Sequence, residues 1–215
     1  MERAYERDYL NKFNELGLAE SLLRAVADEG YTTPTPIQAE VIPAMLAGND
    51  VLGIAQTGTG KTASFVLPAL NQLTKSDGKT APKNCRVLIM TPTRELASQI
   101  ADNIRNYSKF MKVSVAVVVG GVKPKPQIKA LAPGADIVVA TPGRLLDHMS
   151  AGVIQLSQTT TVVLDEADQM LDLGFMPAIR KIMSKVPAKR QTVMMSATMP
   201  PQIRKLALDF QKNPV

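Results

Sequence analysis

The sequence predicts an α/β domain, a mostly parallel sheet with helices on both faces, and three observations carry that prediction. Short apolar runs alternate with helical patterns along the chain. Repeated β-α units of this kind call for parallel strands, because each helix returns the chain to the edge from which the next strand starts. Motifs rich in glycine, threonine, arginine and carboxylates follow the apolar runs, so they collect where such sheets bind ligands, at the carboxyl ends of the strands. With 215 residues, 45% of them hydrophobic, the chain has enough material for a well-buried core.

The elements follow in order. Residues 51–54 read as a short buried strand after Asp50, and a helix is expected from Lys61 towards Leu73. Further strands are expected at 86–90, 113–119, 136–140, 161–164 and 192–195, with helical patterns between them. Residues 75–84 and the basic Lys123-Pro124-Lys125-Pro126 read as loops, since proline and charge discourage regular structure. The chain shows no internal repeat and no long low-complexity tract.

Between the first strand and its helix stands Ala55-Gln56-Thr57-Gly58-Thr59-Gly60-Lys61-Thr62. Gly58 and Gly60 let the backbone turn its N–H groups inward, the helix N-terminus adds partial positive charge, and Lys61 adds a full one. Phosphate suits such a cradle. Thr62 offers a hydroxyl to Mg²⁺, and Asp165, where the strand at 161–164 ends, is expected to hold the same ion directly or through water. Glu166 is next in line to orient or deprotonate an attacking water. The loop departs from G-x-x-x-x-G-K-[ST], with Ala55 in place of the first glycine. Gly58-Thr59-Gly60-Lys61-Thr62-Ala63 also fits the dinucleotide pattern G-x-G-x-x-A, but that pattern wants an acid at the end of the following strand. Asp77 lies before that strand begins.

With these motifs in place, the chain resembles the DEAD-box family of RNA helicases. Asp165-Glu166-Ala167-Asp168 is the tetrapeptide that names the family, and alanine is usual there at the position of Ala55. Gly30-Tyr31-Thr32-Thr33-Pro34-Thr35-Pro36-Ile37-Gln38, Pro92-Thr93-Arg94-Glu95-Leu96-Ala97, Gly120-Gly121, Thr141-Pro142-Gly143-Arg144 and Ser196-Ala197-Thr198 stand in the family's order. Lys123 departs from it, since a smaller polar residue is commoner there.

The resemblance implies a RecA-like, P-loop domain that binds ATP or ADP with Mg²⁺, with an adenine-recognition segment at about 11–38. Gln38 looks like the amide that reads adenine, Tyr31 like the ring on which the base stacks, and Phe13 like the residue packed behind them. Thr57, Gly58, Thr59, Gly60, Lys61 and Thr62 resemble the phosphate-binding set, and Lys61, Asp165 and Glu166 the catalytic one. Thr93, Arg94, Gly121, Thr141, Gly143 and Arg144 resemble contacts to an RNA backbone, which suits arginine, hydroxyls and close-approaching glycine and implies no sequence readout. Asp168, Ser196 and Thr198 resemble the link between the two sites, through a hydrogen bond to Asp168. The family's core has a second RecA-like domain, which is expected outside this chain.

Composition agrees with a polyanionic partner. Twenty-five basic against nineteen acidic residues give a net charge of +6. There is no tryptophan, and only four tyrosines and five phenylalanines, so binding of bases chiefly by stacking is not expected. Cys85 is the only cysteine and His148 the only histidine, which excludes an internal disulfide and the usual zinc sites and points to a soluble, cytoplasmic protein. Cys85 is expected to be inert and His148 to lie on a helix surface, while the methionines, Met194 and Met195 among them, read as core. The charged start is no signal peptide, and no apolar run reaches membrane-spanning length. A phosphate-loop ATPase or DNA translocase of a neighbouring family and a non-catalytic RNA-binding module with a vestigial nucleotide site remain as alternatives. Intact Lys61, Thr62, Asp165 and Glu166 argue against the second of these.

Overall fold

The computed structural model describes residues 12–56, 58–75 and 78–215. Six strands, β1 (Val51–Ile54), β2 (Cys85–Met90), β3 (Val115–Val118), β4 (Ala135–Ala140), β5 (Thr161–Leu164) and β6 (Gln191–Ser196), form one sheet in the order β1-β6-β5-β2-β4-β3. Every pairing is parallel. β5 and β6 are buried along their whole length, as expected of central strands covered on both sides.

Alternation along the strands sorts side chains onto two faces. Val87, Ile89, Val163, Val193 and Met195 join one core, beneath α1 (Glu20–Asp28), α2 (Pro36–Leu46), α3 (Lys61–Thr74) and α4 (Arg94–Tyr107). Leu88, Met90, Val162, Leu164 and Met194 join the other, with α5 (Pro124–Leu131), α6 (Pro142–Ser150), α7 (Ala167–Asp172), α8 (Met176–Met183) and α9 (Pro201–Phe210). Met194 and Met195 thus fill opposite cores. Cys85 is fully buried, and burial pushes its thiol up to about 12.

The strands lie where the pattern put them, to within a residue or two. β3 is shorter than the 113–119 expected. Two readings are corrected. Lys123-Pro124-Lys125-Pro126 is not a loop: Pro124 opens α5 at its first position and Pro126 follows in the first turn. Backbone N–H groups there have no partner within the helix, so proline removes nothing, and its fixed φ favours the start. His148 is on a helix but not on its surface, being only 4% exposed, because that side of α6 faces α5. Residues 78–84 are tied down as well. Thr80 donates to Asp136 Oδ1 at 2.8 Å, and Ala81 N to Gln158 Oε1 at 3.0 Å.

Asp50 anchors the last residues to the sheet. Its carboxylate accepts from Thr192 N at 2.7 Å and from Lys212 N at 2.6 Å. Val215 N donates to Asp50 O and Val215 O accepts from Leu52 N, which places Val215 against the free edge of β1.

Candidate nucleotide site and nucleic-acid face

Gly58 and Gly60 have φ of +82° and +88°, so both occupy the left-handed region that side chains disfavour, and Gly60 caps α3. A Cβ on Gly60 would stand 2.6 Å from Gln38 Nε2, so a side chain there would push the Gln38 amide from its place as well as straining the backbone. The β1–β6 ladder continues into the loop, with Ala55 N donating to Ser196 O at 3.1 Å. The Thr59 hydroxyl donates to Gln56 O at 2.8 Å and shapes the loop itself. Thr57 lies outside the described residues.

Lys61 is buried, and its Nζ has no hydrogen-bond partner. Asp165, at the end of β5, is only 3% exposed. Burial raises its carboxyl from 3.8 to about 6, against the pull of Lys61 and with a push from Glu166. Glu166 follows at φ 53° and ψ 53°, a left-handed position rare outside glycine and asparagine, where it caps α7. A cavity of about 340 Å³ is lined by Lys61, Thr62, Asp165, Glu166, Gly60 and Tyr31, among others. An orphaned buried ammonium and a buried carboxylate in one cavity fit a phosphate and its cation. Among the described residues no group of three metal-binding side chains occurs. Thr62 and Asp165 would hold Mg²⁺ as two hard oxygen ligands, with phosphate and water completing the shell.

The segment from Phe13 to Gln38, expected to meet a base, reaches this cavity at Tyr31. Phe13 is buried and stacks on Tyr31 with ring centroids 6.4 Å apart, and the Tyr31 hydroxyl bonds that of Tyr107 at 2.8 Å. Gln38 is buried at the third position of α2. Its Oε1 accepts from Thr35 N at 3.0 Å and its Nε2 donates to Gly60 O at 3.2 Å. The amide therefore caps its own helix and clasps the phosphate loop, leaving one N–H and one lone pair free.

Along the same edge, β2, β4 and β3 carry the remaining motifs. Thr93 caps α4 by accepting from Leu96 N at 3.2 Å. Arg94 is exposed, and its Nη1 lies 3.2 Å from where a Cβ of Gly121 would stand; Gly121 itself has φ +73°. Thr141 caps the start of α6, and its hydroxyl accepts from Gly120 N at 3.4 Å. Gly143 is partly exposed in the first turn of α6, and Arg144 Nη1 donates to Val122 O at 3.0 Å. Past the ends of the neighbouring strands β5 and β6, Asp168 Oδ2 accepts from both the backbone N and the hydroxyl of Thr198 at 2.9 Å. Burial works against its ionisation, but these bonds outweigh that and hold its carboxyl below the usual range. The Ser196 hydroxyl contributes to that lowering as well, and it donates to Thr198 O at 2.7 Å.

The family model of the DEAD/DEAH box helicase matches residues 35–206. This chain is a member of the DEAD/DEAH box helicase family. Relatives of this DEAD-box chain include ATP-dependent RNA helicase DeaD of Haemophilus influenzae, 46% identical over 94% of this chain and 32% of that relative's length. ATP-dependent RNA helicase CshA of Limosilactobacillus reuteri is 45% identical over 94% of this chain and 40% of its own. A DEAD box protein from Methanococcus jannaschii has a similar crystal structure, with a TM-score of 0.88 and 39% identity over 95% of this chain and 55% of that one. The fold is thus the RecA-like α/β fold of that family, and the chain spans about a third of the first of these relatives. No helix among the described residues is long and apolar enough to cross a membrane.

The DEAD-box motifs do not account for the whole cavity. Beyond Leu96 of the Pro92 to Ala97 motif, Gln99, Asn103 and Tyr107 also line it, spaced so that one face of α4 forms a wall of the cavity. None of these three was singled out in the sequence. The signal available was a polar pair, Gln99 and Asn103, at helical spacing beside the buried Ile100 and Ile104.

Proposed function

We propose that this chain is the nucleotide-binding half of an ATP-dependent RNA helicase, and that it binds ATP or ADP with Mg²⁺ at the cavity between the phosphate loop and Asp165. The observation that carries the reading is Lys61, an ammonium buried without a hydrogen-bond partner among the phosphate loop and two acids. A phosphate oxygen supplies what it lacks. The loop N–H groups and the α3 N-terminus hold the phosphate chain, and Lys61 neutralises it. Tyr31 and Gln38 present a ring and an amide to the base. Mg²⁺, when bound, draws charge from the phosphate oxygens. Glu166 accepts a proton from the water that attacks the terminal phosphorus, held in place by its fixed left-handed backbone.

The second half of the edge is assigned to RNA. Arg94, Arg144, Thr93, Thr141 and the glycine turn offer cations, hydroxyls and close-approaching backbone, the set that binds phosphate and sugar without reading bases. Asp168 and Thr198, which follow β5 and β6 on the nucleotide half, are assigned to coupling that half to the RNA half. An arginine supplied from outside the phosphate-loop site contributes roughly 10³ to 10⁵ in rate in related triphosphatases. We place that arginine outside this chain, so the chain alone binds nucleotide, turns it over slowly and does not unwind a duplex.

The test is calorimetric titration with ADP, ATP and GTP in Mg²⁺. Adenine-selective binding that vanishes in Lys61→Ala and loses selectivity in Gln38→Ala is expected. Equal binding of ATP and GTP, or robust unwinding by the isolated chain, would overturn the reading.

A further inference from the structure

Beneath the glycine turn that follows β3 lies a buried polar pair. Gln127 of α5 and His148 of α6 are 6% and 4% exposed. The Gln127 amide nitrogen donates to Val119 O at 2.9 Å, so its Oε1 faces the imidazole, where His148 Nε2 stands 3.1 Å away. An amide oxygen only accepts, and the ring must carry a proton on Nε2. The chain of bonds runs from α6 through α5 to the last carbonyl before Gly120-Gly121. Buried polar groups add nothing to a core that apolar side chains would not supply at lower cost, and here two of them are linked in series to one backbone atom, His148 through Gln127 to Val119 O.

The turn's other tethers come from side chains assigned above to RNA. Thr141 Oγ1 accepts from Gly120 N, and Arg144 donates to Val122 O. An arginine that swings to a phosphate must release Val122, and a threonine hydroxyl that does the same loosens Gly120. The bond from Gln127 is out of a ligand's reach and stays.

We propose that Gln127 and His148 are positioning residues for nucleic acid, a buried strut that keeps the Val119-Gly120-Gly121 turn in shape when Arg144 and Thr141 leave it for the RNA backbone. The inference rests on the RNA reading of this edge, and its test separates the two. Gln127→Met keeps volume and removes both hydrogen bonds, His148→Leu removes the donor, and His148→Gln restores a donor. Hydrogen exchange at residues 119–122 in the absence of RNA reports the strut directly. Anisotropy of a labelled single-stranded RNA at fixed salt reports its consequence, and ADP calorimetry reports the distant site.

Gln127→Met and His148→Leu are expected to speed exchange at the turn and to weaken RNA binding about 5- to 10-fold, the effect of one buried hydrogen bond. ADP affinity stays within about twofold, and His148→Gln recovers both losses. Unchanged exchange at the turn, a uniform rise across the whole sheet, or a loosened turn with unchanged RNA affinity would each overturn the strut's role. Should His148→Leu fail to fold, Gln127→Met alone decides. A wild-type chain that holds no RNA while the variants still loosen the turn would sink the RNA reading and leave only the strut's structural half.

Discussion

Lys61 and Asp165 share the lining of one cavity, and each is costly where it sits. A buried ammonium loses several kcal/mol of hydration unless an anion and hydrogen bonds replace it. Asp165 helps only in part, since its own carboxyl is raised to about 6. The sign follows from that direction. Folded, the group binds its proton more tightly than the 3.8 of its ordinary value, so its stabilising contribution is complete below about 3.8 and is lost as pH rises through about 6. The difference is on the order of 3 kcal/mol, a strain that a bound cation relieves. Affinity for Mg²⁺-nucleotide is therefore expected to fall as pH drops below about 6, where a proton competes with the ion. Calorimetry from pH 5 to 8 checks this, and the part of the slope due to Asp165 disappears in Asp165→Asn. An equal slope in the variant would refute the assignment. Lys61 and Asp165 were readable as partners from their motifs, but that both are buried, and one without a partner, is a property of the packed loop.

At the scale of elements, the helix starts carry the chemistry. Gly60 opens α3, Thr93 opens α4, Thr141 opens α6 and Glu166 opens α7. Each start lies just past a strand end, where unpaired N–H groups point outward and attract anions. Thr93 has two demands on it, because its hydroxyl caps α4 and is also assigned to RNA. Thr93→Ala is expected to cost about 1 kcal/mol of stability, typical of a lost cap, and Thr93→Ser to restore it. Thermal denaturation of the two variants checks the cap. α5 shows where element reading from sequence fails: two prolines and two lysines look like a breaker until the first proline falls on the first helical position. α4 shows the complementary gap. Its apolar stripe announces which face is buried, but not that Gln99 and Asn103, one face over, line the same cavity as the phosphate loop.

For the molecule as a whole, strand order sorts the motifs into two groups. β1, β6 and β5 lie together and carry the phosphate loop, Ser196-Ala197-Thr198 and Asp165-Glu166, while β2, β4 and β3 carry Thr93-Arg94, Thr141 to Arg144 and Gly120-Gly121. The boundary falls between β5 and β2, and Asp168, just past β5, reaches back to Thr198 at 2.9 Å. A nucleotide bound by groups on β1, β5 and the α2 segment joins parts far apart in the chain, so it stabilises the domain as a unit. Ligand at about 100 times its dissociation constant is expected to add about 2.7 kcal/mol, read as a rise in melting temperature with ADP and Mg²⁺ that is absent in Lys61→Ala. A rise that persists in Lys61→Ala would place the nucleotide elsewhere.

The class of fold, the family and the motif residues are legible in the chain alone, because strand periodicity, helix starts and the phosphate loop are local features encoded within a few positions of one another. Which of them meet is set by the folding of distant segments onto one another. Parallel crossovers bring β1 beside β6, strands separated by most of the chain. They also turn His148 inward onto Gln127, set Gln38 against Gly60, and aim Arg144 at Val122 O. Those contacts depend on sheet order and on which side of a helix faces its neighbour, and long-range packing sets both.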